Sequence, residues 1–145
     1  MAILIKLDDL LRDVLLDPAM AQFLSVLWSH KSSPNENFAR ELMELFTLGA
    51  DRGYTEDDVR EHARALTGFR NDWDDGVGPN NFRFDTEYHD GGVKRIFGKK
   101  GRFEWRDSCE MCLAHPSHPS FFVEKLWSYF IPVPPGRKTR RALQS

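Results

Sequence analysis

The feature that most constrains the fold is a helix-start signal followed by apolar residues at helical spacing. Ser33 can cap a helix, Pro34 can fix its first turn, and Glu36 can reach back to the free amides. Residues 37–48 then alternate an apolar arc with a polar one, and Gly49 is a natural terminator. This pattern predicts an amphipathic helix that begins at Pro34.

The same kind of helix-start signal recurs along the chain. Asp17 before Pro18, and Thr55 before Asp58, predict two more capped helices. Further apolar stripes predict helices over residues 7–15, 107–114 and from about 117 to 130. Trp28, Trp105 and Trp127 fall in apolar patterns and are expected in the core.

Between residues 71 and 105 the composition changes to Gly, Pro, Asn and Asp, with only short alternating runs. We therefore predict a mainly α fold, an orthogonal multi-helix bundle with one short β-hairpin or irregular insertion at about 71–105. The whole chain, 1–145, is expected to form a single helical domain.

Composition excludes several classes of protein. With 145 residues, 41% of them hydrophobic, and a formal net charge of −2, the chain is neither disordered nor strongly basic, and nucleic acid is not an expected partner. Charges interrupt the most apolar stretch, Ile3–Leu16, so no membrane span is predicted. Two cysteines do not make a disulfide framework, and the compartment stays open.

Several tracts resemble a bacterial family known as domain of unknown function 1800. In chain order they are Asn35–Gly49, Tyr54–Arg60, Ala63–Phe69, His89–Lys94 with Phe97–Gly98, Leu113–Pro116 and Phe122–Trp127. The resemblance implies a longer, often exported or envelope-associated parent of which this chain is a middle fragment. It implies no activity, no cofactor and no definite location, because the family is uncharacterised.

The best candidate for chemistry is the tract with His89, Asp90 and Lys94, joined by Glu41 from the third helix. An imidazole, a carboxylate and an ammonium at a turn can serve acid–base catalysis. The alternative is a structural turn in which Asp90 binds the backbone before two glycines and His89 packs.

A second candidate is the polar face of the third helix. It concentrates amides, carboxylates and a guanidinium that can hold a divalent metal: Asn35, Glu36, Asn37, Arg40, Glu41 and Glu44. The alternative is an ordinary solvated helix face with pairs four residues apart and a capping glutamate.

Weaker candidates remain for ions. Cys109, Cys112, His115 and His118 carry zinc-ligand chemistry, but their close spacing favours buried cysteines. Residues 72–76 hint at calcium without the matching glutamate, and the basic tract 137–141 is expected to be solvated.

Two functions stay open. The preferred one is a non-catalytic scaffold or interaction module that binds the remainder of its parent chain, or another protein, through an exposed apolar face. Such a face also predicts self-association or marginal stability. The alternative is a metal-assisted hydrolase, which requires His89 to lie within hydrogen-bonding reach of the Arg40, Glu41 and Glu44 face.

Overall fold

Helices open the chain, and two β-hairpins separate them from the helices that follow. The computed structural model describes residues 2–143, with side chains from Asp9 onward, so Met1, Gln144 and Ser145 lie outside the described residues. Its elements are α1 (Ala2–Leu16), α2 (Pro18–Phe23), a 3₁₀ turn (Val26–Trp28), α3 (Glu36–Glu41), a π-helical turn (Leu42–Thr47), α4 (Glu56–Ala65), β1 (Phe69–Asp74), β2 (Gly78–Phe84), β3 (Lys94–Ile96), β4 (Lys99–Gly101), α5 (Trp105–Leu113), α6 (His118–Phe130) and α7 (Arg137–Leu143).

The predicted mainly α, orthogonal multi-helix bundle with a single short hairpin is wrong. The described residues form two antiparallel sheets, β1 with β2 and β3 with β4, which makes the fold mixed α/β. The first hairpin begins at Phe69, before the predicted insertion at 71–105, and pairs Phe69 with Phe84. A bulge between Arg70 and Asp72 shifts the register of β1 against β2. A strand with such a bulge does not need a strict alternation of apolar and polar residues, which is the pattern that would have predicted it.

Two predicted helix caps are confirmed. The carboxylate of Asp17 accepts a hydrogen bond from the amide of Met20 at 2.9 Å. Thr55 and Asp58 form a reciprocal capping box at the start of α4, in which each side chain binds the other residue's amide. Both signals depend only on residues within one turn, which is why the sequence predicts them.

The predicted cap at Ser33 is wrong, because Asn35 takes that role. The side-chain oxygen of Asn35 accepts from the amide of Asn37 at 2.9 Å. Its amide group donates to the carbonyl oxygens of Leu24 and Ser25, at 3.3 and 2.9 Å. Asn35 therefore ties the start of α3 to the end of α2, a tertiary contact that the local signal at Ser33 lacks.

The core lies around α4, which packs against α3, α5 and β3. Its fully buried apolar side chains include Phe38, Leu42, Met43, Leu48, Val59, Leu66 and Phe69. Phe69 joins the first hairpin to this core, since its ring lies 5.6 Å from the rings of both Phe82 and Phe84.

The tryptophans divide between core and surface. Trp105 is buried as predicted, whereas Trp28 is 78% exposed, so its expected core position is wrong. Trp127 is only half-buried, and its indole N–H donates to the carbonyl oxygen of Val133 at 2.7 Å.

One face of α4 covers the open edge of β3. Asp58 accepts from the amide of Phe97 (2.7 Å), Glu61 accepts from the amide of Arg95 (2.6 Å), and Arg64 donates to the carbonyl of Val93 (3.3 Å). Helical residues three apart thus bind backbone groups two apart, in β3 and in the residues directly before and after it, while the other edge of β3 pairs with β4. The second hairpin is held by side chains where a third strand would otherwise be needed.

Gly68 connects α4 to β1 in a conformation that a side chain opposes. Its φ is +108°, and an added Cβ would lie 2.9 Å from the Phe84 ring and 3.0 Å from both the Asp85 carbonyl and His89. We predict that Gly68→Ala lowers the free energy of unfolding by about 2 to 4 kcal/mol, from backbone strain and overpacking.

Urea unfolding of purified protein measures this change. Gly91→Ala is the matched control, because Gly91 has no positive φ recorded and no atom within 4 Å of an added Cβ. Equal effects of the two substitutions would contradict the structural reason given for Gly68.

Candidate functional site

The structure brings His89 and Asp90, in the turn that precedes β3, close to Lys94, the first residue of β3. The Nδ1–H of His89 donates to the carbonyl of Thr67 at 3.0 Å, and the backbone amide of Asp90 donates to the Thr67 hydroxyl at 2.8 Å. That hydroxyl in turn donates to the Arg64 carbonyl at 2.8 Å. His89 and Asp90 are therefore bound to Thr67, just after the end of α4, and Thr67 is bound in turn to the last turn of that helix.

Asp90 is engaged by an arginine of α4. The Nε of Arg64 donates to Oδ2 of Asp90 at 2.7 Å, and Nη1 binds Glu61 at 2.8 Å. Burial raises the pKa of Asp90, but hydrogen bonds from Arg64 and from the Gly92 amide outweigh it and hold the pKa below its ordinary value. Asp90 is an ionised, paired carboxylate at neutral pH rather than a proton donor.

Lys94 is buried, at 1% exposure, which is rare for a lysine. Its ammonium donates to the carbonyl oxygens of Asp90 and Gly92, and burial lowers its pKa. These contacts close the turn from within. The ammonium group thus faces backbone carbonyls of the turn that precedes β3.

The polar face of α3 forms a different network. Arg40 binds Glu56 at 2.7 and 3.0 Å and Glu44 at 3.5 Å, while Glu36 lies 3.9 Å from Arg60. Asn35 and the amide of Asn37 form the cap described above, and Glu41 is half-buried.

The two networks are not joined. Within residues 9–143, no hydrogen bond or ion pair links His89 or Asp90 to Arg40, Glu41 or Glu44. The geometry that the hydrolase hypothesis requires is therefore not supplied by these contacts.

The cysteines and histidines of α5 and α6 serve separate partners. Burial raises the pKa of the Cys109 thiol to about 12, and that of Cys112 as well. His118 donates to the Thr47 carbonyl at 2.7 Å, and the His115 ring lies 4.7 Å from that of Phe97. Among the described residues, no group of three or more His, Cys, Asp or Glu side chains is placed to hold a metal ion.

The sequence does not predict the buried pair of His62 and Ser108, because only the fold brings these two residues together. Nδ1 of His62 lies 2.5 Å from the hydroxyl of Ser108, and both residues are fully buried. Nε2 of His62 has no hydrogen-bond partner. A cavity of about 420 Å³ is lined by Asp58, Phe97 and His115, among others, but not by His62 or Ser108, and neither of these two side chains is exposed to solvent.

A group of exposed apolar residues lies at the end of α6. We call it the α6–α7 face, and it combines exposed apolar residues of α6 and the segment after it with the cations of α7: Leu126, Tyr129, Phe130, Ile131, Val133, Arg137, Lys138 and Arg141. Such patches on soluble domains mark sites of association.

Comparison with known proteins gives the family. The model described as Protein of unknown function (DUF1800) matches residues 3–145, essentially the whole chain. The chain belongs to this family. The resemblance expected from the sequence is thus confirmed, while searches of curated proteins and of solved structures found no significant match.

For this DUF1800 chain the prediction about membrane spans also holds. No helix within residues 2–143 combines the length and the apolar character needed to cross a bilayer.

The buried histidine of this DUF1800 domain generates a pH prediction. Burial lowers the pKa of His62 to about 3, with Asp58 opposing the shift and His115 adding to it. The unfolded chain, with an ordinary pKa of about 6.5, therefore binds a proton between pH 6.5 and 3 that the folded chain does not. Stability contributed by neutral His62 is present above pH 6.5 and is lost as the pH falls toward 3.

We expect His62→Gln to flatten the fall in unfolding free energy with decreasing pH, by at most about 1.4 kcal/mol per pH unit in this window. Urea unfolding between pH 4.5 and 7.5 measures the slope, with His30→Gln as the control. If the variant does not fold, NMR titration of the wild-type His62 ring decides the question, because a midpoint near 6.5 would refute the prediction.

Proposed function

We propose that this chain is a non-catalytic interaction module whose α6–α7 face binds an acidic, amphipathic helix of another protein. The observation that carries the proposal is the exposure of large apolar side chains on one helix end. Tyr129 is 75% exposed, Phe130 78% and Leu126 49%. Large aromatic side chains of this kind dominate the energetics of protein interfaces.

The exposed residues continue the stripe by which α6 is anchored. At the start of the helix His118 binds the Thr47 carbonyl, and near its middle Lys125 donates to the Leu45 carbonyl; both carbonyls belong to the π-helical turn. Tyr129 lies four residues after Lys125, and so on the same side of the helix. The apolar stripe of α6 therefore extends past the surface on which the helix packs. Its uncovered end, part of the α6–α7 face, can pack against a second helix.

Contacts with the rest of the protein hold the α6–α7 face in a defined orientation. Glu124 accepts a hydrogen bond from Arg52 at 2.7 Å and forms an ion pair with Arg140 of α7 at 3.1 Å. The indole N–H of Trp127 binds the Val133 carbonyl and folds the chain back between the two helices. A binding surface on fixed elements loses less conformational entropy on association than one on a mobile loop.

Charge indicates the chemistry of the partner. The seven residues of α7 contain four cations and no acid. Arg140 is neutralised by Glu124, whereas Arg137, Lys138 and Arg141 are exposed and form no ion pair within the described residues. Acidic residues flanking an apolar helical stripe complement this arrangement, while a second copy would bring like charges together unless it docked in an antiparallel sense.

Binding can be measured with labelled synthetic helical peptides by fluorescence anisotropy. One peptide carries leucines at positions i, i+3, i+4 and i+7 with glutamates between them, and its partner replaces each glutamate with lysine. We expect the acidic peptide to bind, the lysine peptide to bind at least tenfold more weakly, and added salt to reduce the difference.

The face itself is tested by substitution. Tyr129→Ser and Phe130→Ser should each weaken binding of the acidic peptide by about tenfold or more, without lowering the melting temperature. Val77→Ser is the matched control, since Val77 is 76% exposed but lies in the turn between β1 and β2.

Three results would overturn the proposal. They are equal loss of binding in the Val77 control, concentration-dependent self-association abolished by Tyr129→Ser, and binding of anionic phospholipid vesicles in preference to the peptide.

A further inference from the structure

A cleft on another part of the surface has the composition of a ligand site. Its volume is about 360 Å³, and it lies between the α2 and 3₁₀-turn region and the first hairpin. The residues that line it are Gln22, Leu27, Trp28, Arg70, Asn71, Trp73 and Pro79. Ligand pockets in proteins fall in the range of about 300 to 1,000 Å³ and combine apolar walls with a few polar groups.

Two tryptophans form walls of this cleft although neither contributes to the core. Trp28 is 78% exposed and Trp73 is 66% exposed. The indole N–H of Trp73 binds Asp75 at 3.2 Å, so this donor is already used within the hairpin and the contribution of Trp73 to the cleft is its apolar ring surface. Two accessible indole rings in one concave site offer stacking surfaces.

The cleft also holds uncommitted hydrogen-bonding groups. Gln22 and Arg70 make no side-chain hydrogen bond within the described residues, and the indole N–H of Trp28 has no partner there either. The guanidinium of Arg70 lies 4.2 Å from the centre of the Tyr88 ring, which orients its planar fork while leaving its donors available.

Neighbouring charges argue against a polyanion. Asp72, Asp74 and Asp75 belong to the same hairpin as Trp73, and only Asp72 has a cationic partner, Arg83, among the described residues. Stacking of a nucleic-acid strand on the two indoles would bring its phosphates close to these carboxylates. We therefore infer a ligand without phosphates, and a neutral ligand avoids this repulsion altogether.

A pyranose unit has the remaining properties. One face of the ring presents C–H groups that pack on an indole, and its edge presents closely spaced hydroxyls that can bind an amide and a guanidinium. A proline-rich peptide also packs on aromatic rings, but its carbonyls are spread along an extended helix. Donors grouped around one pair of rings suit the sugar better.

We propose that the cleft bounded by Trp28, Trp73 and Arg70 binds one or two pyranose units of a neutral oligosaccharide. This site is separate from the α6–α7 face. Failure of the peptide experiment leaves it untouched, and the reverse also holds.

Isothermal titration calorimetry tests the proposal with four probes: hexasaccharides of β-1,4-linked glucose, β-1,4-linked xylose, β-1,4-linked N-acetylglucosamine and α-1,4-linked glucose. We expect at least one to bind with a Kd below 1 mM. Trp28→Ala and Trp73→Ala should each weaken that binding at least tenfold, and Gln22→Leu should weaken it severalfold.

Phe23→Ala is the matched control, because Phe23 is 80% exposed and adjacent to Gln22 but does not line the cleft. Its affinity should equal that of the wild type. Circular dichroism and melting temperature confirm that each variant folds.

The proposal is overturned if none of the four hexasaccharides binds below 1 mM. It is equally overturned if binding survives both tryptophan substitutions, or if an oligoproline peptide or a single-stranded oligonucleotide binds more tightly than every sugar.

Discussion

The contact between α4 and the open edge of β3 is the constraint on which the second half of the fold depends. A three-residue strand paired only with another of the same length does not stand alone in water. Side chains at three-residue spacing on α4, those of Asp58, Glu61 and Arg64, satisfy the backbone groups that a third strand would otherwise bind. The hairpin therefore exists because the helix presents a ladder of side chains to it, and the loop before the hairpin is positioned by the same helix.

This constraint also accounts for the polar residues that looked most like an active site. Arg64 binds both the β3 edge and Asp90, and Lys94 closes the same turn through backbone carbonyls. A catalytic acid or base must reach substrate and exchange its proton there. Asp90 and Lys94 instead bind groups of the protein itself, and both lie in the single tract His89–Lys94 that resembles the family. Their contacts favour a structural role over a catalytic one. The proposed functions are therefore assigned to surfaces of the protein rather than to this turn.

How far the sequence predicted the structure depends on the range of the interactions involved. Caps at Asp17 and Thr55 are complete within one helical turn, and both are found as predicted. The cap at Asn35 depends on carbonyls of another helix, and the first hairpin depends on Phe69 packing into the core, so neither is visible in a local pattern. Burial of a lysine is invisible for the same reason, because the carbonyls that compensate it are arranged by the turn itself. Trp28 shows the opposite case. It lies in an apolar sequence pattern, but in the fold no other residues pack over it, so it remains exposed.

The exposed aromatic residues do not contribute the stabilisation that burying their side chains would give. Burial of a large apolar side chain contributes about 1.5 to 3 kcal/mol, yet the core is complete without Tyr129, Phe130, Trp28 or Trp73. The two surfaces that they form differ in shape and charge. The end of α6 lies beside the cations of α7 and is proposed to bind a helix, whereas the tryptophan cleft lies at a hairpin that carries three carboxylates and is proposed to bind a small neutral ring. Because neither surface supports the core, the free energy of binding at each can be altered without altering the free energy of folding, and the two roles are physically independent.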